Sequence, residues 1–185
     1  MAYPVQKSVI YIFSEGFMVA GTKFTQDMRL DMIIQHNEVF NAFVGQYKGS
    51  RKTPDLNVEF RNSAGNLKPK FIVEVGFFEK YEDLVEHARL WLEGTHSVSV
   101  AVLVKFYETP IYKRPHLGDE EIKQLSNNTT DISDEPFVFE GEYGPVKLRG
   151  LTWVGCISEA FMEVWRRDPA TGSAVQDGNR IVGLL

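Results

Sequence analysis

The order helix, strand, strand, helix, strand through the middle of this 185-residue chain predicts an α/β (α+β) fold, a sheet carrying helices on its faces. Three observations support it. Phe71-Ile72-Val73-Glu74-Val75 is a nearly continuous apolar run of strand length, as burial on both faces requires. Leu84, Val85, Ala88, Trp91 and Leu92 form an apolar helical stripe within Tyr81–Glu93, with Gly94 just past its end. Val98–Tyr107 (Val-Ser-Val-Ala-Val-Leu-Val-Lys-Phe-Tyr) is the strongest strand pattern of the chain.

The remaining elements follow in order. Ser8–Phe13 is β-branched and aromatic, and with Phe17–Ala20 after the Ser14-Glu15-Gly16 break it predicts an N-terminal hairpin. Met28, Met32, Ile33, Val39, Phe40, Phe43 and Val44 recur at three-to-four spacing, predicting a long amphipathic helix over Gln26–Tyr47 with Thr25 as N-cap. Asp55–Phe60 alternates as a half-buried strand, and Asn62-Ser63-Ala64-Gly65-Asn66 is a turn cluster. Thr109–Pro136, with its prolines, asparagines and acids, is expected as a long loop. Ser158–Arg167, Pro169–Gly172 and Ala174–Leu184 predict a C-terminal hairpin.

Length favours one domain over residues 1–185, with a core of about 26–107, an acidic loop at 109–136 and the hairpin at 158–184. With 43% hydrophobic and 24% charged residues, the composition excludes disordered and collagenous chains. The lone Cys156 excludes an intrachain disulfide and a Cys-based zinc site, and has no adjacent base for nucleophilic chemistry. No apolar run approaches the roughly 18 residues of a membrane span, and Glu15 interrupts the short N-terminal one. An intracellular location, cytoplasmic or nuclear, is therefore expected.

The net charge of -5 argues against nucleic-acid binding by the whole surface. Its distribution is uneven. Lys48–Lys70 holds six bases against two acids, whereas Glu108–Glu142 holds nine acids against three bases. Such runs are ordinarily solvated faces, but the basic one flanks the two strands that carry the unusual acids.

Glu74 stands inside an apolar strand, where an ionised carboxylate costs several kcal/mol unless paired, hydrogen-bonded or metal-bound. Asp55 opens the preceding strand behind Pro54, so neighbouring strands would set the two carboxylates side by side. Their repulsion has two remedies. One is a divalent cation such as Mg²⁺, held by one or two carboxylates plus water and phosphate oxygens. The other is a lysine or arginine partner in a fold without chemistry. Asp55 alone also reads as a turn cap after proline. A lysine nearby would orient water and stabilise a phosphodiester transition state.

Lys52-Thr53-Pro54-Asp55, Phe71-Ile72-Val73-Glu74-Val75-Gly76, Tyr81-Glu82-Asp83-Leu84 and Ala88-Arg89-Leu90-Trp91-Leu92-Glu93-Gly94 resemble the PD-(D/E)XK restriction-endonuclease-like superfamily, most closely its fungal branch. The resemblance covers about Lys52–Tyr107, with weaker pieces at Glu163–Arg167 and Arg180–Val182. It implies a restriction-endonuclease-like, four-stranded mixed sheet flanked by helices, and a Mg²⁺-dependent endonuclease acting on DNA, with Mn²⁺ as a substitute metal. Asp55 and Glu74 would be metal ligands, with the Val75 carbonyl as a third. The chain departs from the pattern where the strand lysine should stand, two residues after Glu74, because Gly76 is there. Lys52 ranks first as the displaced lysine, beside Asp55 in sequence, with Lys80 and Lys70 behind it. Lys70 would share the side of the strand that Glu74 faces. His87 lies near where related bacterial proteins carry a lysine. Glu38 is either an auxiliary acid or a solvated helix residue. Arg51, Lys52, Arg61 and Lys70 would contact phosphates without reading sequence. Cutting both strands of a duplex would call for a homodimer. The alternative is a nuclease-like module that binds nucleic acid or a protein without cutting.

Overall fold

The computed structural model describes residues 4–24, 31–36, 38–109, 138–148 and 151–183. Its centre is a seven-stranded mixed sheet: β1 (Met32–Gln35), β2 (Leu56–Arg61), β3 (Leu67–Gly76), β4 (Val100–Thr109), β8 (Cys156–Arg167) and β10 (Ile181–Gly183) in that spatial order, with β9 (Ala174–Gln176) also paired to β8. Among the described residues two α-helices accompany it, α1 (Pro4–Gly21) and α2 (Tyr81–Gly94). The fold is thus mixed α/β, with a wider sheet than the four strands expected.

The expected turn at Asn62–Asn66 joins β2 to β3. The Asn62 side chain accepts the N–H groups of Ala64 and Asn66 at 3.0 and 2.9 Å, and Gly65 takes φ +82°, where a side chain would be strained. β2 and β3 pair antiparallel, Leu56 opposite Val73. β3 and β4 run parallel, Phe71 opposite Val100 through Gly76 opposite Lys105, and α2 makes the crossover that parallel strands need.

α2 forms where its apolar stripe predicts. Glu82 and Asp83 in its first turn complement the helix dipole. At its other end Arg167 donates to the carbonyls of Leu92, Thr95 and Val98, satisfying acceptors that helix termini leave open. Leu84, Val85, Ala88, Trp91 and Leu92 pack against Ile72, Ala101 and Leu103 of the sheet, with Phe43, Val98 and Trp165 closing the core. Gly94 lets the 45–47 turn approach, since a Cβ there would meet the Tyr47 ring 3.0 Å away.

Two expected elements are corrected. Ser8–Phe13 and Phe17–Ala20 lie in helix α1, not in a hairpin. Gln6, Val9, Ile10, Phe13 and Phe17 fall on its partly buried stripe, and Phe17 meets Phe71 edge-on at 4.5 Å. The Ser14 hydroxyl, read as part of a break, donates back to the Ile10 carbonyl within the helix. Burial on β3 therefore overrides the β-branched propensity of this segment. The long helix over Gln26–Tyr47 is absent among the described residues of that span; residues 25–30 and Asn37 lie outside them. Met32–Gln35 is instead strand β1, antiparallel to β2. Phe40 makes an isolated bridge to Lys52, and Gly45–Tyr47 is a single 3-10 turn opening on Gly45 at φ +61°. The apolar three-to-four spacing arises here from Met32 and Ile33 on the sheet and from Phe40 and Phe43 against Trp91, not from one helical face.

The expected C-terminal hairpin forms as β8 and β9, Arg167 opposite Ala174, with its returning arm interrupted before β10. The Thr109–Pro136 loop falls almost wholly on residues 110–137, outside the described residues.

The chain divides into two compact units, one of residues 1–105 and 161–182, the other of 106–160 and 183–185. The second contains a three-stranded antiparallel sheet of β5 (Val138–Phe139), β6 (Val146–Leu148) and β7 (Leu151–Val154). Within it Glu108 is buried and accepts the Gly155 N–H at 2.5 Å.

Candidate active site

One step beyond Leu56–Val73, the β2–β3 register brings Asp55 opposite Glu74. The two acids that the sequence sets apart are thus neighbours across adjacent strands. Asp55 accepts the Val75 N–H on Oδ2 at 2.7 Å and the Gln6 amide on Oδ1 at 2.6 Å. Glu74 is 3% exposed. Its Oε1 accepts the Trp91 indole N–H at 2.6 Å, and its Oε2 lies 3.4 Å from the Lys52 ammonium.

Lys52 is set in place by its backbone, which exchanges hydrogen bonds of 2.8 and 3.0 Å with Phe40. Its Nζ lies 3.0 and 3.2 Å from the two ring nitrogens of His87 on α2. His87 Nδ1 is also 3.6 Å from Glu79 Oε2 and 3.9 Å from Glu74 Oε2. Burial, and then the Lys52 charge, lower the His87 pKa to about 4, so at neutral pH the ring is uncharged and accepts from the ammonium. Its contacts with the two glutamates are therefore not ion pairs.

The acids respond to burial and to one another. Burial raises Glu74 to about 8, with Asp55 and Glu79 adding to the rise while Lys52 and Trp91 oppose it. Asp55 and Glu79 are both raised, first by burial; Val75, Gln6 and Lys52 moderate Asp55, and the Asp55 charge adds to Glu79. Three carboxyl groups thus share the end of β3 with the Lys52 ammonium, while the charges of Lys52 and Lys105 moderate Glu79. Glu163 offers the contrast. That equally buried acid has the Arg180 guanidinium at 2.8 Å, besides the Tyr81 hydroxyl and the Trp165 indole.

Gly76, at the expected lysine position, is crowded. A Cβ there would lie 3.1 Å from both Glu79 Oε1 and Leu84 Cδ2. Its neighbour across the parallel register is Lys105, 3% exposed, whose Nζ donates to the carbonyls of Phe77 and Glu79 at 3.2 and 2.7 Å. Burial lowers the Lys105 pKa.

Of the residues singled out in the sequence, Lys52, Asp55, Glu74 and His87 come together, with Val75 contributing its N–H. The others lie elsewhere. Lys80 is an exposed residue at the N-cap of α2. Glu38 is exposed, outside any helix, and lines a small cavity with Asn57 and Glu59. Arg51 is exposed, and Arg61 pairs with Asp31 at 3.6 Å. Lys70 does not follow the simple alternation expected of it. Val58 opposes Phe71 and Glu59 opposes Pro69, which leaves Lys70 as the extra residue of a bulge that re-aims its side chain.

Sequence reasoning missed Gln6, Glu79 and Lys105 and assigned Trp91 only to the core. Lys105 carried the same signal as Glu74, a charge inside an apolar strand. The role of Gln6 had no signal, because it depends on where α1 packs.

The donor set suits a hard cation in kind, since Mg²⁺ is ordinarily held by one or two carboxylates with water and phosphate completing its shell. A divalent charge would also relieve the mutual repulsion of Asp55, Glu74 and Glu79. Each oxygen of Asp55 and Glu74 already faces Gln6, Val75, Trp91 or Lys52, so an ion would share the remaining lone pairs with these partners or displace them. Among the described residues, no group of three or more His, Cys, Asp or Glu side chains is arranged to hold a metal. Lys52 thus supplies at least part of the compensation that a metal is expected to provide.

Comparisons with protein-family models, curated proteins and solved structures return no match for this chain. No α-helix among the described residues is long and apolar enough to cross a membrane.

Proposed function

We propose that the chain is a PD-(D/E)XK-like phosphodiesterase of nucleic acid, DNA foremost, working with Mg²⁺ or Mn²⁺. The observation that carries this reading is the opposition of Asp55 and Glu74 across β2 and β3 with the Lys52 ammonium 3.4 Å from Glu74. Asp55 and Glu74 would hold the ion, with the Val75 carbonyl as the implied third ligand. When bound, the metal would acidify a water and neutralise charge on the phosphoryl group. Lys52, whose Nζ meets the neutral His87 ring, would face the phosphate. Trp91 and Gln6 orient the two carboxylates from the side of the protein.

A second reading has its own support. The carboxylate oxygens already have protein donors, and a side chain at Gly76 would crowd Glu79 and Leu84. This arrangement favours a nuclease-like module that binds nucleic acid or a protein without cutting.

Plasmid nicking with Mg²⁺ or Mn²⁺, alongside calorimetric titration of the metal, separates the two. Nicking by the wild type that disappears in Asp55→Ala and Glu74→Ala is expected for the enzyme. Equal cleavage by all three proteins removes the assignment, and absence of both cleavage and metal heat transfers it to the module.

A further inference from the structure

A second feature lies apart from the carboxylates. A cavity of about 380 Å³ opens between the β2–β3 turn and the loop after α2. Its lining includes Phe40 and Phe60 together with Arg61, Lys68, Lys70 and His96. Lys68 and Lys70 are exposed, and neither forms an ion pair with an acid among the described residues. The Arg61–Asp31 pair is 3.6 Å long between half-exposed side chains, an interaction weak enough to yield to a ligand. The bulge at Lys70 directs a cation at this place rather than along the regular strand face. In a chain of net charge -5, a concentration of cations beside the half-buried Phe40 ring is local chemistry, not a property of the whole surface.

We propose that this cavity binds unpaired nucleic acid and confers a preference for single strands. It rests on the nucleic-acid reading above and adds strandedness to it. The cations suit a phosphodiester backbone. The Phe40 ring suits a base face, which is available when bases are unstacked and hidden inside a duplex. A cavity of this size admits a nucleotide and not the width of a double helix. Lys70 stands four residues from Glu74 along β3, about 13 Å. A stacked strand rises about 3.4 Å per nucleotide and an unstacked one is more extended, so a segment of at most about four nucleotides spans from the cavity to the carboxylate pair.

The test is fluorescence anisotropy with a labelled twelve-residue oligothymidylate and a duplex of equal length. It uses the full chain in EDTA, at several salt concentrations, so that binding is read without cleavage. The single strand is expected to bind about tenfold tighter than the duplex, a difference of the size that one stacked base supplies. The exposed pair Lys68→Ala/Lys70→Ala is expected to lower the slope of log affinity on log salt by about 1.4. Phe40→Leu, which keeps an apolar side chain in place, is expected to erase most of the single-strand preference. Equal affinity for both forms, an unchanged salt slope in the lysine double variant, or equally effective competition by polyglutamate overturns the proposal. Tight single-strand binding without nicking leaves it standing and removes the nuclease reading. Nicking without single-strand preference does the reverse.

Discussion

The indole N–H of Trp91 donates to Glu74 Oε1 at 2.6 Å, so the side chain that anchors helix α2 in the core also holds the buried carboxylate of β3. Packing and site geometry are therefore one construction. Removing the donor while keeping an aromatic ring tests this. Trp91→Phe is expected to lose about 1–3 kcal/mol of unfolding free energy in urea, the cost of leaving a buried acceptor unpaired. The Glu74→Gln background should reduce that loss, since an amide oxygen is a less demanding acceptor than a carboxylate. Additive losses in the double variant would show that the bond does not couple them.

Stability should fall as pH rises above neutrality. Glu74 is raised from 4.5 to about 8 in the fold, so the folded chain binds the proton more tightly; its contribution is full below pH 4.5 and is lost as pH rises through 8. His87 acts in the opposite sense. Lowered from 6.5 to about 4, it favours the folded state above pH 6.5 and loses that contribution as pH falls through 4. The two slopes oppose each other between 4.5 and 6.5, and Glu74 alone acts from 6.5 to 8. A loss of about 2 kcal/mol across that upper interval is expected from Glu74. Thermal melting across pH should show the decline in the wild type and its near disappearance in Glu74→Gln.

Lys52→Met should move two titrations together. Without the ammonium, Glu74 rises further and His87 moves up from its lowered value, because Lys52 pulls both down. Following the His87 ring protons by NMR against pH reads the second shift directly. A His87 titration unchanged by the substitution would mean that the ammonium lies elsewhere in solution.

Installing the lysine that the strand pattern leads one to expect should fail. Gly76→Lys places a Cβ 3.1 Å from Leu84, which is fully buried, and from Glu79. A loss of about 1–3 kcal/mol is expected from the overpacking, with no gain in nicking. Denaturant unfolding and the plasmid assay check both. A variant as stable as the wild type and more active would instead make Gly76 the missing piece of the centre.

The α1 contact is tested more mildly by Gln6→Ala. Loss of one hydrogen bond to Asp55 should reduce stability by about 0.5–1.5 kcal/mol. It should also raise the Asp55 pKa further, because the Gln6 amide is one of the groups that hold it down.

What could be read along the chain was what local pattern alone dictates. The apolar run at Phe71–Val75, the stripe from Leu84 to Leu92 and the strand pattern at Val98–Tyr107, which forms as Val100–Thr109, have one period each and long enough runs to be unambiguous. The opposition of Asp55 and Glu74 was legible too, because a short turn between two strands leaves them little choice but to pair. The segments before Lys52 were not. Ser8–Phe13 has the composition of a strand and becomes a helix because β3 offers its half-buried face an apolar surface. Met32 and Ile33 fall in a helical spacing and become part of an edge strand because β2 has an open edge.

The amino-acid order by itself determined the strand–strand–helix–strand frame and the two acids placed on it, since periodicity and turn chemistry act between residues close in the chain. Only the folded structure decided what those acids touch. Gln6, Lys52, Glu79, His87 and Trp91 reach them from four separate stretches, and the closeness of groups far apart in sequence is set by packing, which no local pattern records.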